Sequence, residues 1–160
     1  MIYDRPKLRA ELERDEGKRL KVYRCTAGKR SIGIGRNLDS VGIRAAEQNA
    51  LGLTVAICIA SGITGVQAYA LLDSDINACE RDLDARLPWW RSLDDVRQRV
   101  LLNMCFNLGI SRLLGFKNTL AHVQARRFSS AAEGMKDSAW HRQVGARALR
   151  LEAMMLTGRS

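Results

Sequence analysis

The chain has little proline, 2 residues in 160, and little aromatic character, 6%. With 46% hydrophobic residues beside so few prolines, a disordered tail is excluded and a folded globular protein remains. Its 4 cysteines, Cys25, Cys58, Cys79 and Cys105, form no C-x-x-C pair, and its 2 histidines, His122 and His141, stand apart from them. That leaves no Cys/His metal-ligand spacing, and the reading calls for no metal and no cofactor. Free thiols suit a protein made in a reducing cytoplasm. Asp4, Arg5 and Lys7 interrupt any early apolar run, so no signal peptide is expected. The longest apolar run, Leu53 to Ala60, falls far short of the ~20 residues that span a bilayer, and no stable membrane insertion is expected.

Acid is missing from one stretch altogether. From Gly17 to Leu38 there is no Asp or Glu, while Lys18, Arg19, Lys21, Arg24, Lys29, Arg30 and Arg36 fill the interval and glycine breaks it at positions 17, 28, 33 and 35. The whole chain carries a formal net charge of +9, from 26 Lys+Arg against 17 Asp+Glu. Such a balance implies a polyanionic partner: nucleic acid, an anionic membrane surface or an acidic polysaccharide. Just before the acid-free stretch stands Glu16, at the end of a helical pattern. A helix C-terminus is a poor place for an anion, because its free carbonyls already carry partial negative charge. Either a nearby base neutralises Glu16, or Glu16 is a working acid at the mouth of a cleft.

Along the chain, Asp4 caps a first helix with Pro6 in its opening turn and Leu8 and Leu12 on one face. Gly17 fits just past its end. Leu20 and Val22 alternate with Lys21 and Tyr23 as in a half-buried strand; Thr26 to Lys29 reads as a turn; Ile32 and Ile34 alternate with glycine in a second strand. Residues 43 to 62 suit helix or strand equally. Thr64 with Gln67 forms a capping box, followed by a helical face of Ala68, Leu72, Ile76, Cys79 and Leu83 that runs to about Leu87-Pro88. Ser92 with Asp95 is expected to cap the next helix, which Gly109 ends. From Thr64 onward the pattern is nearly all helix. The fold class is therefore α+β, a single domain over residues 1–160. A small sheet-bearing lobe covers roughly 14–63 and a larger helical lobe roughly 1–13 and 64–160, joined by the long helix. The cleft between lobes is the expected substrate site.

A helix ending in Asp15-Glu16-Gly17, then Leu20-Lys21-Val22-Tyr23, a turn, and Ser31-Ile32-Gly33-Ile34-Gly35-Arg36 resembles the N-terminal signature of the phage-type lysozymes, the endolysin muramidases. Three later segments agree in the same order: Asn103 to Gly109, Gly115 to Leu120, and Trp140 followed by Arg147. The resemblance covers most of the chain and is weakest over residues 40 to 60. It implies a lysozyme-like fold and a glycoside hydrolase.

Glycoside hydrolysis needs a proton donor for the leaving oxygen and a group on the opposite face of the sugar to manage water or act as nucleophile. Glu16 matches the family's general acid; Asp15 is left structural. The family has an aspartate nine positions after that glutamate, and here the position is Cys25. Ser31 stands where the family has threonine and can hold a water. Cys25, as thiol or thiolate, then helps to position that water opposite Glu16; Arg24, Lys21 and Lys29 are expected to favour the thiolate. The bland reading makes Cys25 an inert small side chain. Asp39, the nearest downstream carboxylate, is an unattractive substitute. The resemblance also implies substrate contacts at Arg36, Asn37, Phe106, Asn107, Thr119 and Arg147. Of these, Phe106 suits core packing nearly as well, and Arg147 is placed to pair with Glu16. Gly134 occupies a place where the family offers a side-chain ligand. Trp89, Trp90 and Trp140 read as packing.

The expected function is an endolysin that hydrolyses the β-1,4 bond between N-acetylmuramic acid and N-acetylglucosamine in bacterial peptidoglycan. Its rivals are a lytic transglycosylase, which needs no water-positioning partner, and a non-catalytic peptidoglycan-binding relative. A nucleic-acid partner is not expected, because neither a base-reading recognition helix nor an aromatic sheet platform is present. The resemblance further implies a monomer held in the host bacterial cytoplasm until a holin releases it to the cell wall.

Overall fold

A computed structural model describes residues 2–160. The described chain forms two compact units: residues 9–77, and residues 2–8 with 78–160. It passes from one to the other inside helix α1 (Arg5–Glu16) and again inside helix α4 (Gly65–Arg86). The architecture is mostly helical with one small antiparallel sheet, as the α+β reading expects.

The sheet belongs to the 9–77 unit. Its strands β1 (Arg19–Arg24), β2 (Arg30–Gly33) and β3 (Arg36–Asn37) lie in sequence order. Tyr23 stands opposite Ser31, and Ser31 opposite Asn37. The register slips between Arg19 and Tyr23; a bulge of this kind increases local twist and re-aims side chains. Ile32 and Leu38 join Ile43, Leu53, Cys58, Ile63, Ala68 and Leu71 in one buried cluster. The stretch that suited helix or strand equally is two helices, α2 (Ala45–Leu51) and α3 (Val55–Ser61). Each turns out of its helix through a glycine with positive φ, Gly52 and Gly62.

α1 begins and ends as its sequence requires. The Asp4 carboxylate accepts from the Lys7 N–H at 3.0 Å, and Gly17, at φ +71°, donates its N–H to Glu13 at 2.8 Å. Glu16 is thereby the last helical residue. At the start of α4, Thr64 and Gln67 exchange both capping-box bonds, at 2.8 and 3.1 Å.

In the other unit a 3₁₀ turn (Pro88–Ser92) leads into α5 (Asp95–Leu108). The cap of α5 is Asp94, whose carboxylate accepts from Arg97 N–H at 3.0 Å, and not the expected Ser92. Ser92 is taken up by the 3₁₀ turn, where its hydroxyl donates to Trp89 O. Helices α6 (Ile110–Leu114), α7 (Lys117–Gln124), α8 (Phe128–Lys136), α9 (Ala139–Val144) and α10 (Ala146–Thr157) follow. α8 packs on α7 and α10, and α10 on α5, around buried Met104, Leu113, Val123, Met135, Leu151 and Met155. Trp90 is fully buried and donates its Nε1 proton to Asp84 at 2.7 Å.

Candidate active site

Four of the residues that matter meet in the sheet-bearing unit. Gly17 ends α1 at Glu16, and the turn between β2 and β3 brings Gly35 against the Glu16 side chain. A Cβ built on Gly35 would lie 2.9 Å from Glu16 Cγ and 3.0 Å from both Cδ and Oε2. Gly35 sits at φ +72°, a conformation that side-chain-bearing residues rarely adopt. Glycine is thus required twice here, for the turn and for the carboxylate. Asp15 has a side chain only 3% exposed, at 3.9 Å from Arg14 Nε.

Cys25 closes the turn after β1. Its N–H donates to Lys29 O at 2.9 Å and its carbonyl accepts from Gly28 N–H at 2.8 Å. The Lys29 N–H chiefly, with the Ala27 N–H and the Ser31 hydroxyl behind it, holds the Cys25 thiol below its ordinary value against the cost of desolvation. The stabilising donors are chiefly backbone amides, where the sequence pointed to the side-chain charges of Arg24, Lys21 and Lys29. Arg24 is occupied elsewhere, donating to Gly28 O at 2.8 Å. Cys25 is partly accessible, whereas Cys58, Cys79 and Cys105 are buried.

Ser31, buried on β2, stands across from Tyr23 on β1. Tyr23 was legible only as a strand residue, yet it belongs to this cluster. It is the last strand residue but one before the turn that Cys25 opens. Burial chiefly, and the nearby Glu16 and Cys25 charges, raise its phenol above the ordinary value, against Arg19 and a Ser31 hydrogen bond that lower it. The Arg19 guanidinium lies 4.9 Å from the Tyr23 ring centroid. Asp39 is committed to Arg30, accepting from its N–H at 2.8 Å and its Nε at 2.8 Å, which removes it as a second carboxylate.

Arg36 is not a substrate contact. It is 1% exposed, and every arm of its guanidinium is engaged. Nε donates to Asp75 at 2.9 Å, Nη1 and Nη2 each to Glu47 at 2.7 Å, and Gly42 O and Leu71 O accept the rest at 3.1 Å. Arg44 adds a second cation, 2.9 Å from Asp75 and 3.0 Å from Glu47. Burial pushes Glu47 up, but the Arg36 bond, the Ser74 hydroxyl and the Arg44 N–H outweigh it and bring it down to about 2. Asn37 is half-buried, and its side-chain oxygen accepts from the Asp39 and Ser40 N–H groups at 2.9 and 3.0 Å. That commits its carbonyl to the turn and leaves its amide NH₂ as the end able to meet a ligand.

The remaining predicted contacts lie in the other unit. A concave pocket of about 660 Å³ is lined there by Leu108, Phe116, Thr119, Gly134, Trp140 and Gln143, among others. Thr119 is among the predicted residues and Phe116 is an addition. Gly134 does more than omit a ligand: a Cβ at that position would overlap Thr119 Oγ1, so the missing side chain is what seats the threonine. Asn107 stands behind the wall, accepting the Trp140 Nε1 proton at 2.8 Å. Phe116 meets the Trp140 ring edge-on at 6.1 Å and 85°. Phe106 is half-buried on α5 outside that lining. Arg147 is buried at the start of α10 and donates Nε to Asn103 Oδ1 at 2.8 Å. Among the described residues, no group of three or more His, Cys, Asp or Glu is placed to hold a metal.

The sequence model of the family described as Phage lysozyme matches residues 13–154. The chain is 28% identical over 160 residues to a probable T4-type lysozyme 1 of Dictyostelium discoideum, covering 92% of each. It is 29% identical over 161 residues to a probable T4-type lysozyme 2 of the same organism, covering 94% of each. It is also 33% identical over 157 residues to the pre-baseplate central spike protein Gp5 of Enterobacteria phage T4, covering 92% of this chain and 27% of that protein.

Proposed function

The chain belongs to the phage lysozyme family of peptidoglycan-directed glycoside hydrolases, and on that premise we propose that it is a muramidase with Glu16 as its general acid. The bond cut is the β-1,4 link from N-acetylmuramic acid to N-acetylglucosamine. Glu16 gives its proton to the glycosidic oxygen as the bond from that oxygen to the anomeric carbon breaks. A water held by Cys25 and Ser31 attacks the anomeric carbon from the other face, and its proton passes to the Cys25 thiolate. The products are a reducing N-acetylmuramic acid end and a free 4-hydroxyl on N-acetylglucosamine.

The observation that carries this reading is that one unit places the Glu16 carboxylate against Gly35 and holds Cys25 and Ser31 on the neighbouring hairpin, where Ser31 pairs across the ladder with the half-buried Tyr23. A carboxyl that can donate and a pair of water-binding groups are the two halves that the chemistry needs. Cys25 in the place of a carboxylate supports a second reading, lytic transglycosylation, in which the sugar's own 6-hydroxyl replaces water. We also infer a monomeric endolysin that lyses its host, kept in the bacterial cytoplasm and reaching the wall through a holin. Among the described residues no helix is long and apolar enough to cross a membrane.

Mass spectrometry of muropeptides released from purified sacculi tests these readings together. Reducing ends are expected from the wild type, and none from Glu16→Gln, whose activity should fall by about 10²–10⁴-fold with the fold intact. Anhydro ends would establish the transglycosylase instead, and no products from the wild type would leave a binding protein.

A further inference from the structure

The mechanism above draws only on residues 9–77 and gives no task to the concave pocket of the other unit. At about 660 Å³, that pocket falls within the roughly 300–1,000 Å³ of small-molecule sites. Its wall includes the start of α7. The N-cap there is Phe116, which offers no capping side chain, and the first turn holds no acid. Hydrogen bonding of the helix begins where Leu120 N–H donates to Phe116 O at 2.8 Å. The N–H groups of Lys117, Asn118 and Thr119 precede that bond and have no carbonyl of their own helix to meet. All three residues line the pocket.

Thr119 is only 6% exposed, and no described residue hydrogen-bonds to its hydroxyl. A Cβ on Gly134 would overlap that oxygen, so the glycine leaves it uncovered. A buried polar group of this kind calls for a partner. The charge of the wall points the same way. Arg112 and Lys117 bring two cations to the lining, and no carboxylate joins them there. Both are exposed, and neither forms an ion pair among the described residues. Glu133 and Asp137 stand next to lining residues in sequence but are exposed and outside the lining. Phe116 and Trp140 supply the apolar part. The Trp140 Nε1 proton is spent on Asn107, so this edge-on pair offers ring surface alone.

We propose that this pocket is a subsite for the free carboxylate of a short peptide: the first amides of α7 and the Thr119 hydroxyl hold the carboxylate, Arg112 and Lys117 draw it in, and the Phe116–Trp140 pair packs on the small apolar side chain beside it. An anion at a helix N-terminus meets both unpaired N–H groups and the positive end of the dipole. A neutral sugar hydroxyl would leave the dipole and two cations unanswered. Asn118 and Gln143, also in the lining, carry amides able to bond a peptide backbone. Peptidoglycan bears short peptides with D-alanyl carboxylate ends, so the choice of peptide rests on the peptidoglycan reading, whereas the carboxylate site stands on the pocket alone.

The test is amide-resolved NMR of the full chain, titrated with N-acetyl-D-alanyl-D-alanine, with its C-terminal amide and with inorganic phosphate. The acid is expected to shift the Lys117, Asn118 and Thr119 amide signals saturably. It should bind at least about tenfold more tightly than the amide, the scale of a lost charge-assisted hydrogen bond. Thr119→Val should weaken the acid by about the same factor, while Thr119→Ser, which keeps the hydroxyl, should hold it within about twofold. The double variant Arg112→Ala/Lys117→Ala should weaken the acid and remove most of the salt dependence of its binding, with the amide unaffected. Equal binding of acid and amide, no saturable shift at those three signals, or an unchanged affinity in Thr119→Val would each overturn the proposal. Phosphate bound as tightly as the acid would overturn the peptide as its ligand. A wild type that binds the acid at these amides yet releases no muropeptide would sink the hydrolase reading and leave the subsite standing; muropeptide release without the shifts would sink the subsite alone.

Discussion

Gly35→Ala separates the positioning of the acid from the stability of the turn that positions it. Gly35 holds φ +72°, and an added Cβ would lie 2.9–3.0 Å from Glu16 Cγ, Cδ and Oε2. The left-handed backbone costs an L-residue about 1–2 kcal/mol. For a chain of this length that corresponds to a melting temperature lower by roughly 2–8 °C. The steric term acts differently. The atoms in the way belong to a flexible side chain, so Glu16 swings aside at small energetic cost, and its carboxyl moves by something on the order of 1 Å. A displacement of that size at a reacting group costs about 10²-fold in rate. Gly52→Ala is the control, because Gly52 lies in the same unit at φ +64° with nothing within 4 Å of its added Cβ. Both variants should melt earlier by similar amounts. In a turbidity assay on sacculi, below both transitions, only Gly35→Ala should lose about two orders of magnitude. Equal activity in the two variants, per folded molecule, would refute the placement of Glu16 as the acid that Gly35 accommodates.

Glu47→Gln should destabilise the protein by about 3–5 kcal/mol, since it strips a charge from a buried ion pair, measured by urea unfolding at pH 6. Glu47 has its pKa brought down to about 2 from an ordinary 4.5, so its contribution is complete above about pH 4.5 and is lost as pH falls through 2. The gap between wild type and Glu47→Gln should therefore narrow between pH 4.5 and 2, and a constant gap would rule this linkage out. The +9 net charge should draw the protein to anionic wall, so pelleting with sacculi should weaken as salt rises past physiological strength, where charges are screened beyond about 8 Å. Turnover of a short soluble oligosaccharide should change much less, and equal salt sensitivity would count against steering.

The local signals in the sequence were read correctly where chain neighbours alone decide the outcome. Asp4 capping α1, Gly17 ending it and the Thr64–Gln67 box each depend on residues three or four apart. Residues 43–62 hid two helices of 7 residues each, too short for a 3.6-residue period to show. The α5 cap moved from Ser92 to Asp94 because an intervening 3₁₀ turn took the serine, and no periodicity announces such a turn. Arg36 was misread for a different reason. Its partners Glu47 and Asp75 lie 11 and 39 residues away, so nothing near it in the chain marks it as a buried ion. Next to a glycine turn in a basic stretch, it looked like an exposed ligand. Tyr23 had one usable signal, its place in the alternating strand pattern directly before the turn. The space at Gly134 that Thr119 fills is a contact between two helices and has no local trace.

The substitution of Cys25 for a carboxylate turns on how a thiol can carry charge in a place built for an acid. Side-chain cations were the sequence's suggestion, yet the donors that pull the thiol down are led by the Lys29 N–H, with the Ala27 N–H and the Ser31 hydroxyl behind it. Amide donors converging on one atom form an anion nest, and a nest does not depend on which anion fills it. The same turn should accept a carboxylate. Cys25→Asp is therefore expected to keep hydrolytic activity within a few-fold of wild type, about 1 kcal/mol in barrier. Cys25→Ala keeps the backbone turn but leaves its N–H groups facing water with no anion, and should lose roughly 10²-fold, the low end of proton-transfer catalysis. The nest also predicts an insensitivity. Lys21 is exposed on β1, and Lys21→Ala should leave the pH midpoint of iodoacetamide labelling at Cys25 within about 0.2 pH units, whereas a thiolate held by general positive charge would move further. A fully active Cys25→Ala would reduce Cys25 to a bystander and leave the water to Ser31 alone.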